Sequence, residues 1–247
     1  MKHFRLGSYI RLSLLREKFS GLENKKILDA GCNYGEITKA LSEKNQVVGI
    51  DPDEKALKIA RKFCKKAIFK KSSLTNLHFS KNTFDTVICL AVLEHIKDDK
   101  KAIKEIARVL KKEGELILAV PNKNAELIPT WLSTIIRLVN KILKTDFPTS
   151  EKEYLHFGQE GIGHVRQGYS LEKISKMLLK ENLRITFSTS YWNLPARFIY
   201  ILLMPFIKKG LLKEKPAKII SKPFFFLDKI FKDDKGDILI IARKESK

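Results

Sequence analysis

The sequence predicts a doubly wound α/β fold, with a mostly parallel sheet, helices on both faces of the sheet and an antiparallel last strand. Two observations predict it. From residue 25 onward, short apolar runs alternate with stretches whose apolar residues recur at helical spacing. The run VICL, residues 87–90, is continuously apolar, which is typical of a parallel strand covered on both faces.

The predicted elements follow one another in a regular order. A helix is expected over residues 8–20, ahead of the first strand. Strands are then predicted over residues 25–30, 46–51, 66–71, 84–90 and 114–120. Helices are predicted over residues 35–44, 53–63 and 98–112, the last of them capped by Asp98 or Asp99.

One domain is predicted, spanning residues 1–247. It consists of an N-terminal helical segment (1–24), a core (25–122) and two insertions (123–165 and 194–232). A helix over 170–181, a strand over 183–190 and a last strand over 236–244 surround the second insertion. No internal repeat is present.

The net charge of +20 indicates the kind of binding partner, because such an excess of positive charge favours nucleic acid, an anionic membrane surface or an acidic substrate. Compositional bias is the alternative explanation. The cysteines lack metal-ligand spacing, and the N-terminus lacks an uninterrupted signal-peptide run, so a cytoplasmic protein is expected. The longest apolar run, residues 198–207, is shorter than a membrane-spanning helix.

The stretch KILDAGCNYGEIT, residues 26–38, has the character of a nucleotide-binding loop. A dinucleotide fingerprint starting at Gly31 requires glycine at positions 33 and 36, where Asn33 and Glu36 stand. A phosphate-binding Walker loop is excluded as well, since no Gly-Lys-Ser/Thr follows. What remains is Asp29, Gly31 and Gly35, with a carboxylate downstream.

That carboxylate is Asp51, which ends the next strand twenty positions after Gly31 and is suited to binding both hydroxyls of a ribose. Between the two glycines, Asn33 is expected to adopt positive φ, because asparagine tolerates that conformation best among non-glycine residues. The alternative is a glycine turn that only packs strand against helix.

With these residues, the chain resembles class I S-adenosylmethionine-dependent methyltransferases of the ubiquinone-precursor and small-molecule branch, closely over residues 25–122. The resemblance implies a Rossmann-like sheet and S-adenosylmethionine as cofactor. The absence of Lys and Arg from residues 27–38 suits a cationic sulfonium ligand. The cofactor-binding positions that it implies are Asp29, Gly31, Cys32, Asn33, Gly35, Asp51, Pro52, Ser73, Leu74, Leu90 and Ala91.

Several of these positions depart from the family pattern or carry a specific role. Ser73 stands where the family has an acidic adenine contact, and Leu74 offers its backbone N–H to the adenine. Leu90 and Ala91 should flank the methionine part. In ubiquinone-precursor methyltransferases an E-x-x-E-H cluster is thought to hold a metal ion, but Ala91 replaces its first carboxylate.

No metal is therefore predicted, because Glu94 and His95 alone supply too few ligands. Glu94 is expected to be structural. His95, His156 and His164 are the candidate catalytic residues. His95 is expected to line the cofactor pocket or to orient a group there, whereas His156 or His164 could take a proton from a hydroxyl acceptor, since imidazole titrates near neutral pH. The alternative is that His164 and Arg166 only fasten a lid, because methyl transfer can depend largely on positioning.

The two insertions are basic and amphipathic. In the predicted helix over 126–144 one face collects Ile128, Trp131, Leu132, Ile135, Ile136, Val139, Ile142 and Leu143. Residues 194–232 contain nine Lys or Arg and two acids, interleaved with the apolar residues Phe198, Ile199, Tyr200, Phe206, Phe224, Phe225 and Phe226. This pattern fits an interfacial membrane helix, and equally helices that pack on each other or form a dimer face.

The sequence thus predicts a methyltransferase acting on the oxygen of a lipophilic or lipid-linked small molecule, peripheral on the inner membrane face. Transfer of a methyl group to RNA is the weaker alternative, since the aromatic residues cluster with aliphatic ones. A third is a binding or scaffold protein that has lost catalysis, which the departures at Asn33, Ser73 and Ala91 keep open. The oligomeric state is not predicted.

Overall fold

The structure, a computed structural model, describes residues 6–124, 130–144, 165–191, 193–208, 210–231 and 236–246. His156 and His164 lie outside the described residues, as do Ile128 and the side chains of Trp131, Leu132 and Leu143. The core is a seven-stranded sheet with helices on both faces.

The sheet has the predicted architecture. Its strands are β1 (Lys26–Ala30), β2 (Gln46–Asp51), β3 (Ile68–Lys71), β4 (Phe84–Leu90), β5 (Leu110–Val120), β6 (Leu183–Tyr191) and β7 (Asp237–Lys244). They lie in the order β3-β2-β1-β4-β5-β7-β6. Neighbours from β3 to β5 pair in parallel, and the last strand, β7, is antiparallel to both β5 and β6, as predicted. The strand order reverses between β1 and β4, which is where open α/β sheets bind ligands.

Eight α-helices are present among the described residues. They are α1 (Leu6–Phe19), α2 (Glu36–Leu41), α3 (Glu54–Phe63), α4 (Asp99–Val109), α5 (Thr130–Leu143), α6 (Leu171–Lys180), α7 (Leu194–Lys208) and α8 (Glu214–Ile230). A 3₁₀ turn, Leu93–His95, follows β4. Asp98 caps α4 and Ser170 caps α6, each accepting a hydrogen bond from a backbone N–H.

Adjacent residues of the central strands enter two separate cores. Leu28 and Val87 lie in the core beneath α4 and α6. Ile27 and Ile88 lie in the opposite core, which α1, α2, α7 and α8 cover. Because side chains alternate across a strand, both neighbours of each pair must be apolar, and this explains the continuous apolar runs.

The predicted boundary between α4 and β5 was wrong. Helix α4 ends at Val109 instead of Lys112, and β5 begins at Leu110, well before the predicted Gly114. Leu110 pairs with Phe84, and the register then shifts before Thr86. Glu113 has a φ of 59° inside this irregular stretch. The tertiary pairing with β4 therefore outweighs the helical propensity of the Lys-Lys-Glu segment.

The second insertion forms α7 and α8, which pack against each other and against α1. Ile199, Phe224 and Phe225 belong to the core that these helices share, whereas Phe226 is exposed. The aromatic residues of this insertion thus divide between packing and solvent. Within the described residues, no helix combines the length and apolar character needed to cross a membrane.

Candidate active site

The loop after β1 is fixed to the end of β2 by its backbone. The N–H groups of Gly31 and Cys32 both donate to the carbonyl of Ile50, at 2.8 and 2.9 Å, and Gly35 N–H donates back to Cys32 at 2.9 Å. The Cys32 side chain turns into a small core with Leu57 and Ala60. Burial raises the pKa of the Cys32 thiol, so the side chain stays protonated and serves in packing. The backbone of Cys32 holds the loop through the hydrogen bonds just described.

Three residues of this loop have positive φ. Gly31 and Gly35 both have a φ of 81°, and Asn33 has a φ of 48°. The expectation for Asn33 is confirmed. A Cβ on Gly31 would lie 2.3 Å from Val92 Cγ2, so this glycine is required by close approach as well as by conformation. The loop keeps its shape although asparagine stands at its centre.

Asp51 joins the loop to the following helix. Its Oδ2 accepts the N–H of Asn33 and its Oδ1 accepts the N–H of Asp53, both at 2.9 Å. Burial raises the pKa of Asp51, while these two hydrogen bonds oppose the rise. Pro52 follows it and is exposed, and Asp53 caps α3.

Asp29 lies within β1, one residue before its end, and is 5% exposed. Thr38 of α2 donates its hydroxyl to Asp29 Oδ2. Burial raises the pKa of Asp29 to about 6, with Thr38 opposing and Asp51 adding to the rise. A cationic ligand nearby would restore the ionised form. The sequence argument missed Thr38; its signal was a polar residue on the inward side of a short helix, one turn before Leu41.

The other predicted cofactor positions surround this edge. Leu74 is buried in the core, so only its backbone can face a ligand. The Ser73 hydroxyl lies 2.9 Å from that of Thr75 and accepts its N–H. Leu90 is 8% exposed, and Ala91 has a φ of 56°. Positive φ is costly for alanine, and such strain is concentrated at functional sites.

Glu94 and His95 lie in the 3₁₀ turn just beyond Ala91. Glu94 is 1% exposed, its Oε1 is 4.0 Å from His95 Nε2, and its Oε2 has no hydrogen-bond partner within the part of the chain that the structure describes. Burial raises the pKa of Glu94 to about 8. Among the described residues, no group of three His, Cys, Asp or Glu is arranged to hold a metal ion.

Arg166 fastens the segment that follows the undescribed stretch. Its guanidinium donates to the carbonyls of Leu93, Ile96 and Lys97 at 2.9, 2.6 and 3.0 Å. The N–H of Val165 donates to the Glu94 carbonyl at 2.9 Å. Arg166 thus has the anchoring role that the sequence left open. Whether His95, His156 or His164 acts in catalysis stays a prediction.

A second feature was missed by sequence reasoning. Glu94 faces a buried group of charged and polar side chains contributed by four distant elements. Its members are Arg11 of α1, Tyr191 of β6, Arg197 of α7 and Asp237 of β7. Asp237 is 9% exposed, and burial raises its pKa to about 6. Sequence spacing carries no signal for this group, because its members are brought together only by the sheet.

The core of the chain is similar in sequence to known proteins. A family described as a methyltransferase domain matches residues 28–118. A ubiquinone biosynthesis O-methyltransferase from Idiomarina loihiensis is 32% identical over 133 residues, which is 51% of this chain and 54% of that protein. The chain thus spans about half the length of the curated relatives that it matches.

Solved structures share the fold over nearly the whole chain. An S-adenosylmethionine-dependent methyltransferase from Mesorhizobium loti has a TM-score of 0.63 at 15% identity, covering 97% of this chain and 100% of that one. The [4+2]-cyclase SpnF has a TM-score of 0.61 at 19% identity, covering 98% and 83%. At these identities the likeness concerns the fold alone.

Proposed function

We propose that residues 28–118, which match the methyltransferase domain family, form the core of a class I S-adenosylmethionine-dependent methyltransferase, and that the chain methylates an oxygen of a lipophilic or lipid-linked small molecule at a membrane surface. S-adenosylmethionine is the cofactor of this domain. When bound, it supplies an electrophilic methyl group. The residues of the chain bind it, orient it and admit the acceptor.

The observation that carries the proposal is the arrangement at Asp51. Its two oxygens each accept one backbone N–H, from Asn33 and Asp53. A carboxylate offers about four acceptor sites, so each oxygen keeps capacity for one more hydrogen bond. Two oxygens that each accept one hydroxyl match the adjacent hydroxyls of a ribose. The loop and the ribose would therefore be held by the same side chain.

The charge of the site suits the rest of the cofactor. Asp29 is buried at the switch point of the sheet, two residues before Gly31, and its carboxylate can attract an ammonium or a sulfonium. Burial strengthens such an interaction because few water molecules screen it. No Lys or Arg lies between residues 27 and 38 to oppose it.

Two facts support a lipophilic acceptor. Several curated relatives that match the core, among them those from Idiomarina loihiensis and Vibrio cholerae, are named for ubiquinone biosynthesis. The helices α5, α7 and α8, which lie outside the matched core, are rich in apolar residues. An acceptor held in a membrane would contact the protein at these helices.

Calorimetric titration with S-adenosylmethionine and with its demethylated product tests the core of the proposal. Both are expected to bind the purified chain at one site. Incubation with labelled S-adenosylmethionine and a cell lipid extract should then transfer label into the organic phase. Absence of binding would rule out the methyltransferase function and favour a scaffold protein. Label found in RNA instead of lipid would show that the acceptor is RNA.

Asn33 gives a prediction about the loop. Asn33→Val is expected to cost about 1–2 kcal/mol of stability, because a β-branched residue resists positive φ. Asn33→Val should also weaken S-adenosylmethionine binding. Asn33→Gly should keep the affinity within a few-fold and the stability close to that of the wild type, because glycine adopts positive φ freely. Urea unfolding and calorimetry measure the two effects.

Asn82 supplies the matched control, because it has a φ of 55° in a turn remote from the loop. Asn82→Val should lose similar stability and bind the cofactor as the wild type does. If both valine variants bind equally well, positive φ at Asn33 has no part in the site.

A further inference from the structure

The outward side of α8 is apolar, although a surface helix ordinarily exposes polar residues there. Ile219, Phe226 and Ile230 are 66%, 66% and 57% exposed. They are separated by seven and four residues, with the exposed Pro223 between them, and this spacing aligns them in one stripe along the helix. We call these four residues the α8 stripe.

The opposite side of α8 is already packed. Ala217 and Ser221 are fully buried. The Phe225 ring lies 5.7 Å from that of Tyr9 in α1, and Phe224 belongs to the same core. The α8 stripe is therefore additional to the face that holds the helix in the fold.

Lysines follow the stripe along one flank. Lys215, Lys222 and Lys229 are exposed and recur every seven residues, so they form a row beside it. Lys229 pairs with Glu17 of α1. In the described part of the chain, Lys215 and Lys222 make no ion pair, and their charge is available to a partner. Only Glu214 and the buried Asp228 oppose them within α8.

We propose that the α8 stripe docks the protein on an anionic lipid bilayer, the stripe entering the acyl boundary and the lysine row facing the headgroups. The inference deepens the proposed function and rests on its membrane-held acceptor. Apolar area and a positive flank together are what such a surface attracts. A second copy of the chain would bring lysine row against lysine row, which its own charge of +20 disfavours.

A second helix repeats the pattern. On α5, Ile135, Leu138 and Ile142 are 39%, 59% and 68% exposed at spacings of three and four residues, and the exposed Arg137 and Lys141 lie on another side of the same helix. Helices α5 and α8 each pack against α7. Two apolar stripes on helices that both pack against α7 would increase the area that a bilayer can cover.

The test is flotation of the full chain with vesicles of equal parts phosphatidylglycerol and phosphatidylcholine, and with phosphatidylcholine alone. The wild type is expected to float with the anionic vesicles only. The double variant Phe226→Ser/Ile230→Ser should partition at least about tenfold less, since two large apolar side chains are lost. Lys215→Gln/Lys222→Gln should also partition about tenfold less.

Leu179→Ser is the matched control. Leu179 is 64% exposed on α6, beside Lys176 and Lys180, but has no stripe around it. This variant should float like the wild type. Titration with S-adenosylmethionine on every variant reports folding, and its failure in the wild type would concern the proposed function and not the docking surface.

The proposal is overturned if the wild type does not float with anionic vesicles, or if the stripe variant floats as well as the wild type. Equal flotation with uncharged vesicles overturns it too. A wild-type dimer that the stripe variant makes monomeric in analytical ultracentrifugation assigns the stripe to a protein interface instead.

Discussion

Asp51→Ala is expected to weaken S-adenosylmethionine binding by about 100-fold or more, because it removes a charged acceptor from two sets of hydrogen bonds. One set holds the loop through Asn33 and the helix entry through Asp53. The other is the pair proposed for the ribose hydroxyls. Isothermal calorimetry measures the loss, and thermal unfolding measures the cost to the loop itself.

The neighbouring carboxylate provides the control. Asp53→Ala removes an equal charge two residues away and deletes the α3 cap, which accepts from Lys55 N–H at 2.8 Å. It should cost about 1 kcal/mol of stability and leave cofactor affinity within a few-fold. The cofactor affinity of Asp51→Asn should lie between those of the wild type and Asp51→Ala, because the amide keeps one acceptor oxygen. Unchanged binding by Asp51→Ala would separate Asp51 from the site.

The loop could be predicted from sequence because its determinants are local. Glycine and asparagine tolerate positive φ better than other residues do, so Gly31, Asn33 and Gly35 mark the turn in the sequence before any tertiary contact is known. Asp51 was found in the same way, as an acid at the end of an apolar strand. Where conformation is set within a few residues, sequence and structure agree.

The helical insertion was predicted less completely, for a physical reason. Amphipathic spacing identified apolar residues in 194–232, but α8 is apolar on both its inward and outward sides. Pattern alone therefore could not tell Phe225, which packs on Tyr9, from its exposed neighbour Phe226. Only the position of α1 decides which side is covered.

The charged group around Glu94 was beyond reach for a related reason. Its members come from the first helix, from α7 and from the last two strands, and nothing in their local sequence separates them from surface residues. Burying carboxylates is expensive, so this group should govern how stability responds to pH. Glu94 is the member for which the effect is expected to be largest.

Glu94→Gln is expected to be more stable than the wild type at pH 9 by about 2–4 kcal/mol, and by much less at pH 5. Burial raises the folded pKa of Glu94 to about 8, Asp237 adds to the rise, and Arg11 and Arg166 oppose it. Among the described residues, His95, Cys89 and Tyr191 also lie near Glu94. Urea unfolding of both proteins across this pH range measures the difference.

The sign follows from proton counting. Between the ordinary glutamate pKa and about 8, the folded chain holds a proton on Glu94 that the unfolded chain has released. Wild-type stability therefore falls as the pH rises through this window and stays low above it. Glutamine does not titrate, so the variant lacks this decline.

Glu105 on α4 should behave oppositely and serves as the control. Its hydrogen bond with Arg108 lowers its folded pKa, so the stability that it contributes is present above the ordinary pKa and is lost as the pH falls. Glu105→Gln should therefore destabilise at neutral pH by about 1 kcal/mol and little in acid. If Glu94→Gln instead destabilises equally at pH 5 and pH 9, Glu94 is not a buried neutral acid. Such a result would mean that Arg11 keeps the Glu94 carboxylate ionised. Replacing that carboxylate with an amide would then leave the Arg11 guanidinium without its counter-ion at every pH.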